Sequence, residues 1–398
     1  MENVGRSVLV ADFAGHAFPF DLSRELSARG WKVTHTYCSD VESPRSSFAQ
    51  PGAVVIRPVV LGRPFERFSL VRRLRDECRY GFGTVRVLRS SGSRTVLASN
   101  MPVVSLLVIW TYAILTRRRR VLWLQDVQSG LAGMVAGRGS VVARVLSALE
   151  TLAVRTSSEV VGISDGITEE AIRRGAGRAL TIENWACLDE LPLRERANAW
   201  AQQHGLVDRF VFLYSGTLGM KHSPEVVISL AELFESDPEV VIVVVAAGQG
   251  AESIDRALAE RPRHNVLRLP LQEFSALPDV LASSDVLLVL LDPLAAKFCV
   301  PSKVLSYLCA ARPILAVVPA SNPVAELVQD RAAAGLLADP ANIAELKASA
   351  QRLRDDHGAR SALGASARRY AEVAFELGPI ADRFEEVLGS VGTRDQHR

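Results

Sequence analysis

The sequence predicts an α/β protein of two Rossmann-like domains, each built on a parallel sheet, facing one another across a cleft. Three observations predict this. Apolar runs rich in β-branched residues recur along the chain, and helical patterns separate them. The runs are continuous rather than alternating, as strands covered on both faces require. With 398 residues, the chain suits two cores better than one.

The elements follow in order. Strands are expected at 7–13, 31–37, 53–59, 95–98, 121–125, 159–163 and 179–182, with helices at 20–28, 102–115, 140–155 and 166–174. The alternation pauses at 187–206, which is polar and lacks a strand pattern, so the domain boundary is placed there. A second series follows. Its strands are expected at 209–214, 240–246, 265–269, 285–291 and 313–318, and its helices at 224–235, 251–260, 277–283, 302–310, 324–329 and 343–356. Residues 359–389 read as helix with no strand. The resulting division is 1–190, 191–375, and a segment 376–398 whose helix is expected to pack back on the first domain before a polar tail.

Composition narrows the partners. A net charge of +2 gives no global field to attract a polyanion, so nucleic acid is set aside as a partner. Residues 57–94 nevertheless hold ten Arg against three acids, and four more Arg follow at 117–120. This stretch reads either as a solvated charged face or as a surface for peripheral contact with an anionic membrane. The five Cys form no CxxC pair and no cluster with His, which reads as reduced thiols in a cytoplasmic protein without a zinc site. The N-terminus has no signal-peptide layout. The apolar run 103–116 is shorter than the ~20 residues a bilayer span needs. It reads as a buried helix, with a membrane-dipping segment as the alternative.

Ligands of open α/β sheets sit beyond the carboxyl ends of strands, so the loops there hold the candidates. In 213–225, Gly216, Thr217 and Gly219 loosen the chain, Lys221 supplies a charge, and Ser223 and Pro224 fit the N-cap and first position of a helix. Such a start suits a phosphate, although a capped helix with a solvated lysine reads equally well. Gly248 and Gly250 follow another strand as a Gly-x-Gly pair, a weak motif that more often marks a tight turn. Pro301 and Ser302 open a third helix with Lys303 in its first turn, where a cation opposes the helix dipole unless an anion offsets it. In the first domain, Gly15 and His16 follow the opening strand, and Gln125 and Asp126 end another. His16 reads as a base, a hydrogen-bond donor or a polar loop residue, and Asp126 as an acceptor-hydroxyl partner or a turn cap.

Taken in order, these segments resemble retaining glycosyltransferase family 4, and more closely the bacterial enzymes of O-antigen, capsule and colanic-acid assembly. The residues that carry the likeness are 25–34, Trp123 to Asp126, 162–167, 182–185, Tyr214 through Lys221, and Pro301 through Ala316. The resemblance implies the GT-B fold and a second domain that binds a nucleoside diphosphate sugar, UDP- or GDP-linked, with no further cofactor. Lys221 matches the family's donor-phosphate lysine. Thr217 stands near the place of its arginine partner, and Lys303 is expected to supply the second charge. Gly15 matches the glycine loop near the donor phosphates. The family's Glu-x7-Glu positions read Phe298 and Ser306, its glycine near the helix end reads Ala311, and its histidine before Asp126 reads Gln125.

The resemblance implies retention at the anomeric carbon and no metal. Lys221 and Lys303 would stabilise the leaving diphosphate, and the acceptor hydroxyl would attack from the leaving-group side. Asp126 is counted with the two lysines as catalytic, His16 and Gln125 are placed on the acceptor side, and the acceptor is expected to be a lipid-linked glycan. The other readings are a sugar-nucleotide epimerase and a catalytically weak paralogue that acts as a scaffold.

Overall fold

Residues Val240–Val245 read VVIVVV, and all six are buried. A strand with no polar face must be covered on both sides, which places it inside a parallel sheet between helical layers. The computed structural model describes residues 6–41, 54–65, 69–130, 140–219, 222–293 and 302–389. The chain forms two units, Met1–Asn184 with Glu376–Arg398, and Trp185–Phe375.

In the first unit the elements run β1 (Ser7–Asp12), α1 (Ala17–Ala28), β2 (Lys32–Thr36), β3 (Val55–Ile56), α2 (Leu70–Ser91), β4 (Thr95–Ser99), α3 (Val103–Leu115), β5 (Arg119–Leu124), α4 (Val141–Thr156), β6 (Glu159–Gly162), α5 (Asp165–Arg173) and β7 (Ala179–Thr181). The described strands order as β3-β2-β1-β4-β5-β6-β7, all parallel. The strand order reverses between β1 and β4, so the crevice at their carboxyl ends is the natural place for a ligand.

The second unit contains α6 (Ala199–Gln203), β8 (Phe210–Ser215), α7 (Glu225–Leu233), β9 (Val240–Val245), α8 (Gln249–Glu260), β10 (Val266–Leu269), α9 (Leu277–Ala282), β11 (Val286–Leu290), α10 (Lys303–Cys309), β12 (Ile314–Val317), α11 (Pro323–Glu326), β13 (Gly335–Ala338), α12 (Ile343–Asp355) and α13 (His357–Ala374). Its sheet orders as β10-β9-β8-β11-β12-β13, again all parallel, with the reversal between β8 and β11.

The last helix, α14 (Leu377–Gly389), returns to the first unit. The Trp31 indole donates to Glu385 at 2.6 Å, and the Arg29 guanidinium to Glu385 at 2.9 Å and to the Gly378 carbonyl at 2.9 Å. The Phe384 ring lies 4.7 Å from that of Trp123, and both are fully buried. Among the described residues, no helix is long and apolar enough to cross a membrane. The apolar run after Pro102 is α3, which buries Leu106, Ile109 and Trp110 and exposes Ile114 and Leu115 at its end.

The observed boundaries differ from the expected ones in three places. The division falls between Asn184 and Trp185, ahead of residue 190. The segment after it is tied to the second unit, where Arg368 of α13 donates to the carbonyls of Leu191 at 3.2 Å and Cys309 at 2.9 Å. The arginine-rich stretch contains a 22-residue helix, α2, which the apolar pattern did not announce. A further strand, β13, closes the second sheet. It pairs so tightly that a Cβ on Gly335 would lie 1.9 Å from the Ile314 carbonyl oxygen.

Close backbone approach makes glycine obligatory there. Gly335→Ala is expected to destabilise the second unit by about 2 kcal/mol or more, through the displaced β12–β13 ladder. Differential scanning calorimetry checks this, and an unchanged melting temperature would refute the tight pairing.

Candidate functional site

Two polar clusters form where the sheets reverse. In the first unit, β1 ends on Asp12, whose side chain is fully buried. It lies in register with Ser99 of β4. The chain then turns through Gly15 in the left-handed region (φ 74°) and enters α1 after His16. Asp12 accepts from the His16 backbone N–H, and both of its oxygens lie 3.1 Å from His16 Nδ1. The imidazole is therefore held with Nδ1–H on the carboxylate and Nε2 turned away. Nε2 lies 3.5 Å from the Asn100 amide nitrogen. Asn100 follows β4 and is itself left-handed (φ 49°). Burial alone would lower the His16 pKa; the charge and hydrogen bond of Asp12, with a contribution from Asp126, raise it above 6.5. His35, fully buried nearby, shows the opposite outcome, and burial pushes it down to about 4. Beside this pair, Gln125 and Asn184 exchange amide hydrogen bonds at 2.5 and 3.4 Å across the ends of β5 and β7, and Gln125 also reaches Ser99 Oγ at 3.4 Å.

In the second unit the cluster follows β8. Tyr214 is fully buried and donates its hydroxyl to the Thr217 carbonyl at 2.8 Å. Tyr307 of α10 clamps the next residue, donating to the Ser215 carbonyl at 3.1 Å and accepting the Ser215 N–H at 2.9 Å. Burial pushes both phenols up, so both stay neutral. Lys303 reaches back from α10, with Nζ 2.6 Å from Tyr214 Oη and 4.4 Å from the centre of the Tyr214 ring. The same ammonium lies 3.4 Å from His222 Nε2. Gly216, in the left-handed region at φ 125°, admits the lysine stem, which would lie 3.3 Å from a Cβ at that position.

Several expected site residues take specific places. Lys221 and Pro301 lie outside the described residues. The cost of Lys303 against the helix dipole is offset within the chain by Tyr214, through a hydrogen bond and a cation–π contact, rather than requiring an anion. α10 has only seven residues, so Ser302 opens a short dipole, and no side chain caps it. Ser302 is exposed and Ser306 half-buried. Ser223 is not the cap of α7. That position falls on Pro224, because the first turn closes with shorter-range bonds from Val226 to Ser223 and from Val227 to Pro224. The space left by Gly248 and Gly250 is taken up by Leu218, whose carbonyl oxygen would lie 2.9 Å from a Cβ at either position and accepts the Gly250 N–H. These glycines lock the β8 loop against the start of α8.

Sequence reasoning missed Asp12, Asn100, Asn184, Tyr214, Tyr307 and His222 as members of these clusters. Asp12 ends an apolar strand as its one acid, which was a usable signal. Tyr214 and Tyr307 entered only within the segments that carry the family likeness, with no role of their own.

Both clusters lie at strand ends beside topological switch points, and two Rossmann-like domains on parallel sheets are the architecture of the GT-B fold. Residues 18–185 match the family described as a glycosyl transferase 4-like domain. A protein of Escherichia coli K12 assigned to colanic acid biosynthesis as a glycosyl transferase, WcaI, is 27% identical over 286 residues, 68% of this chain and 67% of that protein. Similar solved structures include HepE of Anabaena in complex with UDP and glucose (TM-score 0.74, 14% identity, 97% of this chain and all of that one). They also include the lipopolysaccharide glycosyltransferase WaaG (TM-score 0.68, 16% identity, 97% of this chain and all of that one). The likeness to these structures is one of fold. The family resemblance read from the sequence is borne out, in that residues 18–185 match a glycosyl transferase 4-like domain and the fold is shared with glycosyltransferases.

The electrostatics of the first cluster are open to test. Because its folded pKa lies above the unfolded value of 6.5, His16 contributes stability that is fully present below pH 6.5 and fades as pH rises through the folded pKa. In Asp12→Asn, burial becomes the dominant influence. The His16 pKa, followed by the NMR shift of its ring protons, is expected to drop below 6.5. A titration unchanged from wild type would remove Asp12 from its role.

Proposed function

We propose that this protein transfers a glycosyl residue, with retention, from a nucleoside diphosphate sugar to a lipid-linked glycan during assembly of a cell-surface polysaccharide. The observation that carries this reading is the Lys303–Tyr214–His222 cluster at the end of β8. It places an ammonium against the neutral Tyr214 and beside His222, at the strand end where an open α/β sheet takes its ligand. HepE, similar in fold, is described in complex with UDP-glucose, and WaaG as acting in lipopolysaccharide biosynthesis.

As the glycosyl bond breaks, charge develops on the departing diphosphate. Lys303, joined by Lys221, stabilises that charge without a metal, each well-placed donor contributing about 3 kcal/mol. The acceptor hydroxyl attacks on the leaving-group side and passes its proton to a phosphate oxygen. Asp126, Gln125 and His16 hydrogen-bond hydroxyls of the acceptor. A thermal-shift screen of UDP- and GDP-sugars tests the donor. Lys221→Ala and Lys303→Ala are each expected to lower turnover by about 100-fold, and equal rates for variant and wild type would refute the assignment. Absence of any nucleotide-sugar binding at millimolar concentration would favour a scaffold.

The lipid-linked acceptor implies work at the cytoplasmic face of a membrane. Helix α2 suits peripheral attachment to an anionic bilayer. Its two acids point inward, Asp76 paired with Arg63 at 2.6 Å and Glu77 with Arg73 at 2.8 Å. Its outer residues Val71, Arg75, Arg79, Phe82, Arg86 and Arg89 are exposed. Each basic residue near an anionic surface contributes about 1 kcal/mol. Replacing these four arginines together by Gln is expected to abolish co-sedimentation with phosphatidylglycerol vesicles, and undiminished co-sedimentation would refute attachment through α2.

A further inference from the structure

Helices α2, α3 and α4 lie side by side over one face of the first sheet, with α3 in the middle. Ser105 of α3 donates its hydroxyl to the Glu77 carbonyl of α2 at 2.7 Å. The Trp110 indole donates to Ser157, the residue that ends α4, at 3.0 Å. Beneath them Tyr80 and Leu88, Ile109, and Ala153 and Val154 share a single core. What the three helices turn away from that core is one-sided in its chemistry. They carry three acids in all, Asp76, Glu77 and Glu150. Asp76 and Glu77 turn inward, as described above, and Glu150 accepts the Ser129 backbone N–H at 3.1 Å and pairs with Arg174 at 3.2 Å. Among the described residues of these helices, no exposed side chain is acidic.

Apolar groups and arginines stand outward instead. Leu115, which ends α3, is 78% exposed, and Ile114 beside it is also exposed. On α4, Val145, Ala148, Leu152 and Arg155 are exposed and recur at the spacing that puts them on one side of a helix. On α2, Phe82 is exposed about a turn from Arg79 on one side and from Arg86 on the other. Water gives exposed Leu, Ile and Phe no gain, and several on one layer mark a surface that meets something apolar. A second copy of the chain would set arginines against arginines with no outward acid to pair them. An anionic bilayer answers both features, because its phosphates take the guanidinium groups while its acyl boundary takes the aliphatic and aromatic ones.

We propose that α2, α3 and α4 together form a bilayer-docking face, on which Phe82, Ile114, Leu115, Val145 and Leu152 enter the acyl boundary of an anionic leaflet. The inference rests on the peripheral-attachment reading above. It adds that the contact spans three helices and is insertion as well as charge. The arginines bring the face to the surface, and the apolar side chains hold it there.

Two variants test the apolar part while leaving every arginine in place. One replaces Ile114, Leu115, Val145 and Leu152 together by Ser. The other is Leu115→Glu, a change at a side chain exposed enough to leave folding intact should the fourfold variant melt early. The readouts are co-sedimentation with phosphatidylglycerol vesicles and the surface pressure of a phosphatidylglycerol monolayer, alongside thermal melts and sedimentation velocity without lipid. Adsorption by charge alone leaves a packed monolayer's pressure unchanged, whereas insertion raises it. Wild type is expected to raise the pressure and to sediment as one species with or without the substitutions. The fourfold variant is expected to bind vesicles about tenfold or more weakly and to raise no pressure. Leu115→Glu is expected to lower both readouts. The proposal is overturned if wild type binds without raising the pressure, or if both variants bind and insert as wild type does. It is equally overturned if wild type sediments as a dimer that the variants dissociate, which assigns the face to a second copy. If wild type fails to co-sediment with these vesicles at all, the attachment reading itself fails, a result distinct from each of these.

Discussion

Strands that are buried on both faces can present polar chemistry only at their ends. This constraint organises both units. The core strands carry Val, Leu and Ile along nearly their whole length, and the charged or hydroxylic groups gather at the carboxyl edge. Asp12 shows the cost and the use of that arrangement. A fully buried carboxylate is tolerable only with partners that satisfy it, and the backbone and ring of His16 provide them. Tyr214 plays the parallel part in the second unit. Its hydroxyl is spoken for by Thr217 and Lys303, so it serves as a fixed neutral post on which the lysine is mounted.

The strands were legible because a doubly covered sheet leaves its mark directly in the sequence as unbroken apolar runs. Twelve of the described strands overlap expected ones, and the exception explains itself. β13 is four residues long and opens on a glycine, which weakens any strand pattern. Helix α2 escaped detection for a different reason. Its inward face includes Asp76, Glu77, Tyr80 and Thr84, so burial there follows ion pairing and close packing rather than apolar periodicity. Its glycines at 81 and 83 discourage a helix assignment from sequence. In the fold they permit approach, since a Cβ on Gly81 would lie 3.1 Å from the Ser105 carbonyl oxygen, and one on Gly83 would lie 2.4 Å from Val59.

The site was legible in outline and not in detail. Loops after strands, glycines and lysines can be counted along a chain, and they led to Gly15, His16, Gly216 and Lys303. Which groups those residues meet depends on strands distant in sequence. Asn100 meets His16 across 84 positions, and Tyr214 meets Lys303 across 89. Ala311 illustrates the same limit. It holds a left-handed backbone (φ 54°) at the end of α10, where glycine is the easier residue, and the strain is invisible until the turn is seen.

The two histidines carry the electrostatic division of labour. Both use Nδ1 for a structural bond, but their partners are opposite in kind. His16 gives its Nδ1 proton to a buried carboxylate, so its outer nitrogen is the basic one and suits a hydroxyl. His222 accepts the Gly219 backbone N–H at Nδ1, so that nitrogen carries no proton of its own. The surroundings agree with each assignment, with Asp12 and Asp126 acting on the first and Lys303 lying beside the second. A bond from each Nδ1 to the scaffold lets one residue type take opposite roles, because the fold rather than the solvent decides whether that nitrogen donates or accepts.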